Sequence, residues 1–188
     1  MKCCCIRLFI NLFFIVLPFH FCYAQELVRE PSSTRYIKDF YEYVSGNIKR
    51  NQYYVNEIRL NSNRLLWSDN KIFHIIEKFH YSYGGDHVPS LRMITLSETD
   101  NKINYYYEFL YDTDGKLIYC FEKQNDTNTF TYREFKVYYE KSLCINLVLD
   151  KEIIDSNDIS HNDKINRIYE EGTIMSIKFK EVMEKKKK

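Results

Sequence analysis

Large apolar or aromatic side chains occupy alternate positions along residues 103–121, a pattern typical of strands with one buried face. The alternate positions are Ile103, Tyr105, Tyr107, Phe109 and Tyr111, followed after a break by Leu117, Tyr119 and Phe121. The break contains Asp114-Gly115, a common turn sequence. The segment is therefore predicted to be a β-hairpin at the centre of an antiparallel sheet.

The length of the hairpin loop follows from keeping these rings on one face. A two-residue loop would place Phe109 opposite Cys120 and mix the two faces of the sheet. A three-residue loop over 113–115 instead places Phe109 opposite Tyr119 and gives Gly115 the left-handed conformation that a G1 bulge needs. We therefore predict the three-residue loop, with aromatic pairs across the two strands.

Five further segments have the composition or the alternation of strands. They are residues 52–60, 71–83, 91–98, 129–140 and 143–149. The apolar positions of the fourth segment change from even to odd numbers, so a β-bulge near Arg133 and Glu134 is predicted there. With the central hairpin, these segments predict a meander-like antiparallel sheet of about six or seven strands.

Helical spacing is found on both sides of the strand-rich region. After a helix start near Ser33, one apolar stripe contains Ile37, Phe40, Tyr41, Val44 and Ile48. After Ser160, a second stripe contains Ile165, Ile168, Tyr169, Met175, Phe179 and Val182. Gly172 weakens the middle of this second segment by about 1 kcal/mol relative to alanine, so two helices also fit the pattern.

The fold class that these elements predict is α+β, an antiparallel sheet packed by an N-terminal helix and a C-terminal helix. Both helices are expected to cover the aromatic face of the sheet. The alternative is a small β-barrel with a flanking helix, because its strands and turns would have similar spacing. A single domain is predicted over 33–184, with a tether at 25–32 and a lysine tail at 185–188.

The first 24 residues have the three parts of a secretory signal peptide. A basic segment, MKCCCIR, precedes the apolar run LFINLFFIVLPF, and Cys22-Tyr23-Ala24 forms a small-x-small cleavage site. The apolar run is shorter than the ~20 residues that a membrane-spanning helix needs. The sequence therefore predicts cleavage after Ala24, a secreted or periplasmic protein, and no membrane span after cleavage.

Signal cleavage changes the charge of the chain. The whole sequence has 27 basic and 26 acidic residues, and cleavage removes Lys2 and Arg7 but no acid. Without the lysine tail as well, the predicted domain is acidic. An acidic domain argues against a nucleic-acid partner.

Cleavage also removes four of the six cysteines and leaves Cys120 and Cys144. Outside the cytosol a disulfide between them is chemically possible. In the predicted meander, however, they lie on strands that are two apart, which separates them by at least ~9.6 Å. A disulfide needs Cα atoms within ~7 Å, so two unpaired and mostly buried thiols are predicted.

The clearest loop is 84–89, which two glycines and a proline punctuate. His80, Asp86 and His87 could converge at this loop and form a hydrolytic or ligand-binding site. His74 lies on the same strand as His80, but about 20 Å of strand separates them, so they cannot share a metal ion. No metal and no cofactor are predicted.

A second candidate surface is the other face of the central hairpin, where Tyr106, Leu110 and Ile118 mix with charged residues. The chain has no Gly-x-Ser-x-Gly, His-Glu-x-x-His, Cys-x-x-Cys or phosphate-binding glycine loop, and no catalytic residue is predicted. The predicted function is that of an exported, non-catalytic binding or interaction module for a protein, peptide or glycan. The alternative is an exported hydrolase with its site near the 80–87 loop.

Overall fold

A computed structural model describes residues 32–63, 73–85, 87–100, 103–155 and 159–185. The predicted signal peptide, the tether up to residue 31 and Asp86 lie outside the described residues, as do residues 186–188 of the lysine tail.

Two long helices flank a run of strands along the described chain. The helices are α1 (Ser32–Lys49) and α2 (Asn162–Lys185), and a 3₁₀ turn, Ile159–His161, precedes α2. The strands are β1 (Tyr54–Leu60), β2 (Phe73–Tyr83), β3 (Pro89–Asp100), β4 (Ile103–Tyr111), β5 (Leu117–Asp126), β6 (Thr131–Glu140), β7 (Leu143–Leu149) and β8 (Glu152–Ile154).

The strands form one antiparallel sheet in the order β1 to β8, so each strand pairs with its neighbour in sequence. The predicted α+β fold with a meander-like sheet is confirmed. The sheet is open, so the alternative of a closed barrel is wrong. It also contains eight strands rather than six or seven within the described residues.

The unpredicted strand is β8, which is only three residues long. Asp150 and Lys151 connect it to β7, with φ angles of 48° and 80°. Two consecutive positive φ angles are the conformation of a type I′ turn, which two-residue hairpin loops favour. The usual sequence signals of that turn are Asn-Gly and Asp-Gly, so Asp150-Lys151 did not predict a further hairpin and strand.

The two helices lie on opposite faces of the sheet. Helix α1 packs in a cluster with Met93 and Leu110, whereas α2 packs in a cluster with their chain neighbours Ile94 and Phe109. Consecutive residues of a strand point to opposite faces, so the two clusters are separated by the sheet. The expectation that both helices cover one aromatic face is wrong, because the central strands are apolar on both faces and each face needs a cover.

The three-residue loop of the central hairpin is confirmed. The amide of Asp112 donates a 2.9 Å hydrogen bond to the carbonyl of Lys116, which closes the loop. Gly115 has a φ of 78°, the left-handed conformation in which a side chain is disfavoured.

The ring pairs predicted beyond this loop are wrong. Tyr111 lies opposite Leu117, but Leu110 lies opposite Tyr119 because Ile118 is an extra residue at a register shift. Phe109 consequently lies opposite Cys120. The shift moves Tyr119 to the face that α1 covers, so the aromatic rings of the hairpin are divided between the two faces.

The bulge predicted near Arg133 and Glu134 is also wrong. The pairing of β5 with β6 is continuous there, and the register shift of β6 lies between Tyr138 and Tyr139, against β7. The even-numbered rings before the apparent change of parity lie outside the core: Phe130 belongs to the turn before β6, with a φ of 52° and 90% exposure, and Tyr132 is 50% exposed on β6.

The apolar stripe predicted for α1 is confirmed, since its five residues all belong to or pack against one core cluster. Helix α2 is a single helix through Gly172, and its buried face includes Ile165, Ile168, Met175 and Phe179. Neither described helix has the length and apolar content needed to cross a membrane.

Cys120 and Cys144 occupy two strands that β6 separates. Cys120 lies on β5 and Cys144 on β7, and both are free thiols. This is the arrangement that the meander predicted for them. Cys120 is fully buried in the α2-side core, and Cys144 is partly buried beside it.

Candidate functional site

Helix α1 crosses its face of the sheet and leaves a cleft along each flank. The narrow cleft, of about 260 Å³, lies between α1 and strands β5 and β6. The wide cleft, of about 590 Å³, lies between α1 and strands β3 and β4. Tyr41 and Glu42 of α1 line both clefts and therefore stand at the boundary between them.

The narrow cleft has an aromatic lining. Its rings are Tyr41, Tyr119, Phe121 and Tyr138. The ring centroids of Tyr119 and Tyr138 are 5.0 Å apart, and those of Tyr41 and Tyr119 are 5.2 Å apart, both in tilted arrangements. These separations are typical of favourable aromatic contacts, so the rings support one another as a preformed surface.

A lysine from each side of the narrow cleft reaches this aromatic surface. The Lys38 ammonium of α1 lies 5.8 Å from the ring centroid of Tyr138, and the Lys136 ammonium of β6 lies 5.5 Å from that of Phe121. Lys136 also forms an ion pair of 3.2 Å with Glu134. Cation–π contacts of this kind hold the two positive charges at the rim of the cleft.

The Glu108 carboxylate fastens α1 to the sheet at the boundary of the clefts. Its Oε2 accepts a 2.6 Å hydrogen bond from the Tyr41 hydroxyl, and its Oε1 accepts a 2.8 Å hydrogen bond from the Tyr106 hydroxyl. Burial and the nearby Glu108 raise the phenol pKa of both tyrosines well above the usual value. Both phenols therefore stay protonated and keep donating to Glu108.

The three residues predicted as a binding surface on this face have different environments. Tyr106 is half-buried and lines the wide cleft. Leu110 is completely buried under α1, so it can act only as packing beneath a site. Ile118 is partly buried at the edge of the same core and lines a separate cleft of about 320 Å³ beside the hairpin loop.

The residues predicted around the 84–89 loop are also in different environments. His80 is buried within β2, opposite Met93 on the face that α1 covers. Burial, with the nearby Lys78 charge, lowers its pKa to about 4, and its Nδ1 has no hydrogen-bond partner. His87 is exposed in the loop with a φ of 59°, and Asp86 lies outside the described residues. A hydrolase site at this loop stays a prediction.

The sequence pattern missed the narrow cleft for an identifiable reason. The alternation of the central hairpin assigned Tyr119 to the same face as Phe109, and the register shift at Ile118 reverses that assignment. The sequence did not indicate a binding role for Lys38 or Lys136, since each is an ordinary polar residue of its helix or strand. Only the crossing of α1 over β5 and β6 brings these groups together.

Within the described ranges, no group of three or more His, Cys, Asp or Glu side chains could hold a metal ion. Comparisons of the chain with known protein families, curated proteins and solved structures found no match. Function is therefore inferred from the residues and their geometry.

Proposed function

We propose that this chain is an exported, non-catalytic binding protein that holds an acidic sugar unit of a glycan in the narrow cleft. The observation that carries the proposal is an aromatic cleft with one lysine on each side, Lys38 from the helix and Lys136 from the sheet. Export rests on the signal peptide expected to end at Ala24.

The aromatic lining suits the apolar face of a ring-shaped ligand. Binding sites are usually preformed and mostly apolar, with a few polar groups that fix the orientation of the ligand. Tyr119 and Tyr138 are each about 95% buried and are held by their neighbours, so little conformational entropy is lost when a ligand contacts them. The volume of about 260 Å³ is just below the usual range for ligand pockets, about 300–1,000 Å³, which favours a single ring.

The charged groups favour a ring that carries a carboxylate and hydroxyls. The ammonium groups of Lys38 and Lys136 can each form charge-assisted hydrogen bonds with a carboxylate. The exposed Glu42 carboxylate, which also lines the cleft, can accept hydrogen bonds from sugar hydroxyls. A neutral apolar ring would contact only the aromatic surface of the cleft.

The polar groups at the boundary of the two clefts favour binding rather than proton transfer. A general base needs a pKa near the working pH, whereas the phenols of Tyr41 and Tyr106 have pKa values far above it. Both oxygens of Glu108 already accept hydrogen bonds from these phenols. Because Tyr41 and Glu42 also line the wide cleft, a longer glycan has room to continue past α1.

Calorimetric titration of the chain from residue 25 onward with glucuronic acid and with glucose tests the binding proposal. We expect glucuronic acid to bind and glucose to bind at least about tenfold more weakly, since a charge-assisted hydrogen bond contributes about 1.5–3 kcal/mol. The double variant K38Q/K136Q should lose this preference. The double variant K141Q/K151Q, which removes the same charge from two exposed turns, should keep it.

Two results would contradict the proposal. One is the absence of binding by both sugars and by longer acidic oligosaccharides. The other is equal binding by wild type and K38Q/K136Q, which would place the ligand elsewhere.

Export is tested separately by N-terminal sequencing of the protein recovered from outside the cytoplasm of expressing cells. We expect the recovered chain to begin at Gln25. Recovery of only the intact chain inside the cell would contradict export and leave the binding measurements unaffected.

A further inference from the structure

Another cleft, the Arg92 cleft, lies beside α2 at the end of the sheet where β2 meets β3 and β4 meets β5. It has a volume of about 450 Å³. Its polar lining includes Arg92, Lys180, Ser82, Ser90, Thr113 and Asp114. Residues of α2 line this cleft, whereas the narrow and wide clefts flank α1 on the other face of the sheet.

Arg92 reaches this position because β3 contains an irregularity. His80 pairs with Met93, but the next residue, Tyr81, pairs with Leu91, so Arg92 is the extra residue. Bulges of this kind redirect a side chain and are frequent beside functional sites. The Arg92 side chain therefore does not follow the alternation between the two sheet faces that its neighbours on β3 follow.

The Arg92 guanidinium is incompletely satisfied. Its Nε donates a long hydrogen bond of 3.4 Å to the Ser82 hydroxyl. Its Nη1 is buried and has no hydrogen-bond partner in the described structure. A buried charged donor without a partner costs free energy, and such a group in a native protein calls for an explanation such as a ligand.

We infer that the Arg92 cleft binds the carboxylate or phosphate group of a small molecule. The guanidinium, whose planar fork of donors matches an oxyanion, lines the cleft, and its buried Nη1 lacks a partner in the described structure. The Lys180 ammonium adds a second positive charge, and the hydroxyls of Ser82, Ser90 and Thr113 can contact the rest of the molecule.

Charge and size agree with this assignment. Among the described residues that line the cleft, two are cations, Arg92 and Lys180, and one is a carboxylate, Asp114. By contrast, the chain without the predicted signal peptide has a slight excess of acidic residues. The volume exceeds that of a bare ion and falls within the range of small-molecule pockets.

The test is an NMR titration of the chain from residue 25 onward with sodium phosphate, sodium acetate and sodium chloride at matched ionic strength. We expect phosphate or acetate, but not chloride, to shift the Arg92 Nε–Hε resonance and the amides of Ser82, Ser90 and Thr113 with saturation. The anion that saturates the shifts identifies whether the cleft takes a phosphate or a carboxylate.

Three variants separate a ligand site from a structural arginine. R92M should fold and should bind the anion at least about tenfold more weakly, as the loss of a charge-assisted contact implies. R92K, which keeps the charge but loses the fork, should be intermediate and serves as the folded comparison if R92M does not fold. R133Q, which removes a charge from an exposed residue of β6, should bind like wild type.

Two outcomes would overturn the inference. The first is that all three salts give the same small, unsaturated shifts, which would indicate general screening. The second is that R92M, or R92K if R92M is unfolded, binds phosphate and acetate like wild type.

Discussion

The hydroxyl of Tyr111, on strand β4, donates a 2.6 Å hydrogen bond to the carbonyl oxygen of Gly172 in the middle of α2. Tyr111 is completely buried, so a strand side chain reaches the helix backbone directly. An ideal Cβ atom on Gly172 would lie 2.7 Å from Leu117 and 2.9 Å from Phe109. Gly172 therefore sets how closely α2 approaches the sheet.

We predict that G172A destabilises the protein by about 1–3 kcal/mol, the usual cost of overpacking a core. Alanine favours a helix over glycine by about 1 kcal/mol, so a loss of stability means that the steric cost exceeds this gain. Urea unfolding, followed by far-ultraviolet circular dichroism, measures the difference.

G46A is the matched control, because Gly46 is also inside a helix. A Cβ atom there would meet only the flexible Arg50 side chain, at 3.5 Å, which is an ordinary contact. We expect G46A to stabilise the protein by about 0.5–1 kcal/mol. A G172A protein as stable as G46A would show that α2 has room to move away from the sheet.

Gly172 also illustrates how far the sequence determines the fold. Local patterns identified both helices and seven of the strands, because those elements bury one regular stripe or one alternating face. From the helical pattern alone, Gly172 predicts a less stable helix. The pattern describes one helix and contains no information about the sheet that packs against it. The close contact of Gly172 with Leu117 and Phe109 exists only after packing.

Register is the second property that local patterns did not determine. The loop at Gly115 was predicted from turn chemistry, but the extra residue Ile118 is invisible in the alternation of rings. One extra residue reverses the face of the side chains that follow it. The misassigned Tyr119 is a wall of the narrow cleft, so the candidate site was missed for the same physical reason.

A second prediction concerns the nearly buried Glu122 of β5. Its Oε1 accepts a 2.8 Å hydrogen bond from the Lys164 ammonium of α2, and its Oε2 is buried without a hydrogen-bond partner in the described structure. K164M keeps most of the side-chain volume but removes the ammonium. We expect a loss of about 1–3 kcal/mol in the free energy of unfolding, because the carboxylate then has no compensating charge.

The double variant K164M/E122L provides the control for this pair. Replacing both partners of a buried ion pair with apolar groups is often neutral or stabilising. The double variant should therefore recover most of the stability that K164M loses. If it is less stable than K164M alone, Glu122 stabilises the fold through contacts other than Lys164.

A third prediction follows from the buried His80. Its pKa is about 4 in the folded protein and 6.5 for an ordinary histidine. Between these two pH values the unfolded chain therefore binds a proton at His80 that the folded chain does not bind. The contribution of neutral His80 to stability is fully present above about pH 6.5 and is lost as the pH falls towards 4. We expect wild type to lose about 2 kcal/mol relative to H80L over this range, after allowance for screening by solvent.

Urea unfolding of wild type and H80L at a series of pH values measures this effect. Taking the difference between the two proteins at each pH removes the contributions of the carboxylates that they share. H87N is the control, because His87 is exposed in a left-handed conformation that asparagine tolerates. A constant difference between wild type and H80L across this pH range would mean that His80 titrates normally in the folded protein.

The last prediction concerns the two thiols on β5 and β7. Burial raises the pKa of Cys120 well above its usual value, and burial also raises that of Cys144, which is only partly covered. Only the thiolate reacts with a disulfide reagent. Low accessibility and a raised pKa therefore protect Cys120 from labelling more strongly than Cys144. In the chain from residue 25 onward, we expect dithiobis(nitrobenzoic acid) to label Cys144 slowly and Cys120 only after unfolding in urea.

The variant C144S isolates the buried thiol and should show almost no labelling in the native state. After unfolding without a reductant, wild type should release two equivalents of dye and C144S one, since both cysteines are free. Native labelling of Cys120 at the rate of Cys144 would mean that the core between α2 and the sheet opens readily. Failure of the unfolded wild type to react would instead reveal a disulfide, which would require β5 and β7 to lie closer than two strand spacings and would contradict the position of β6 between them.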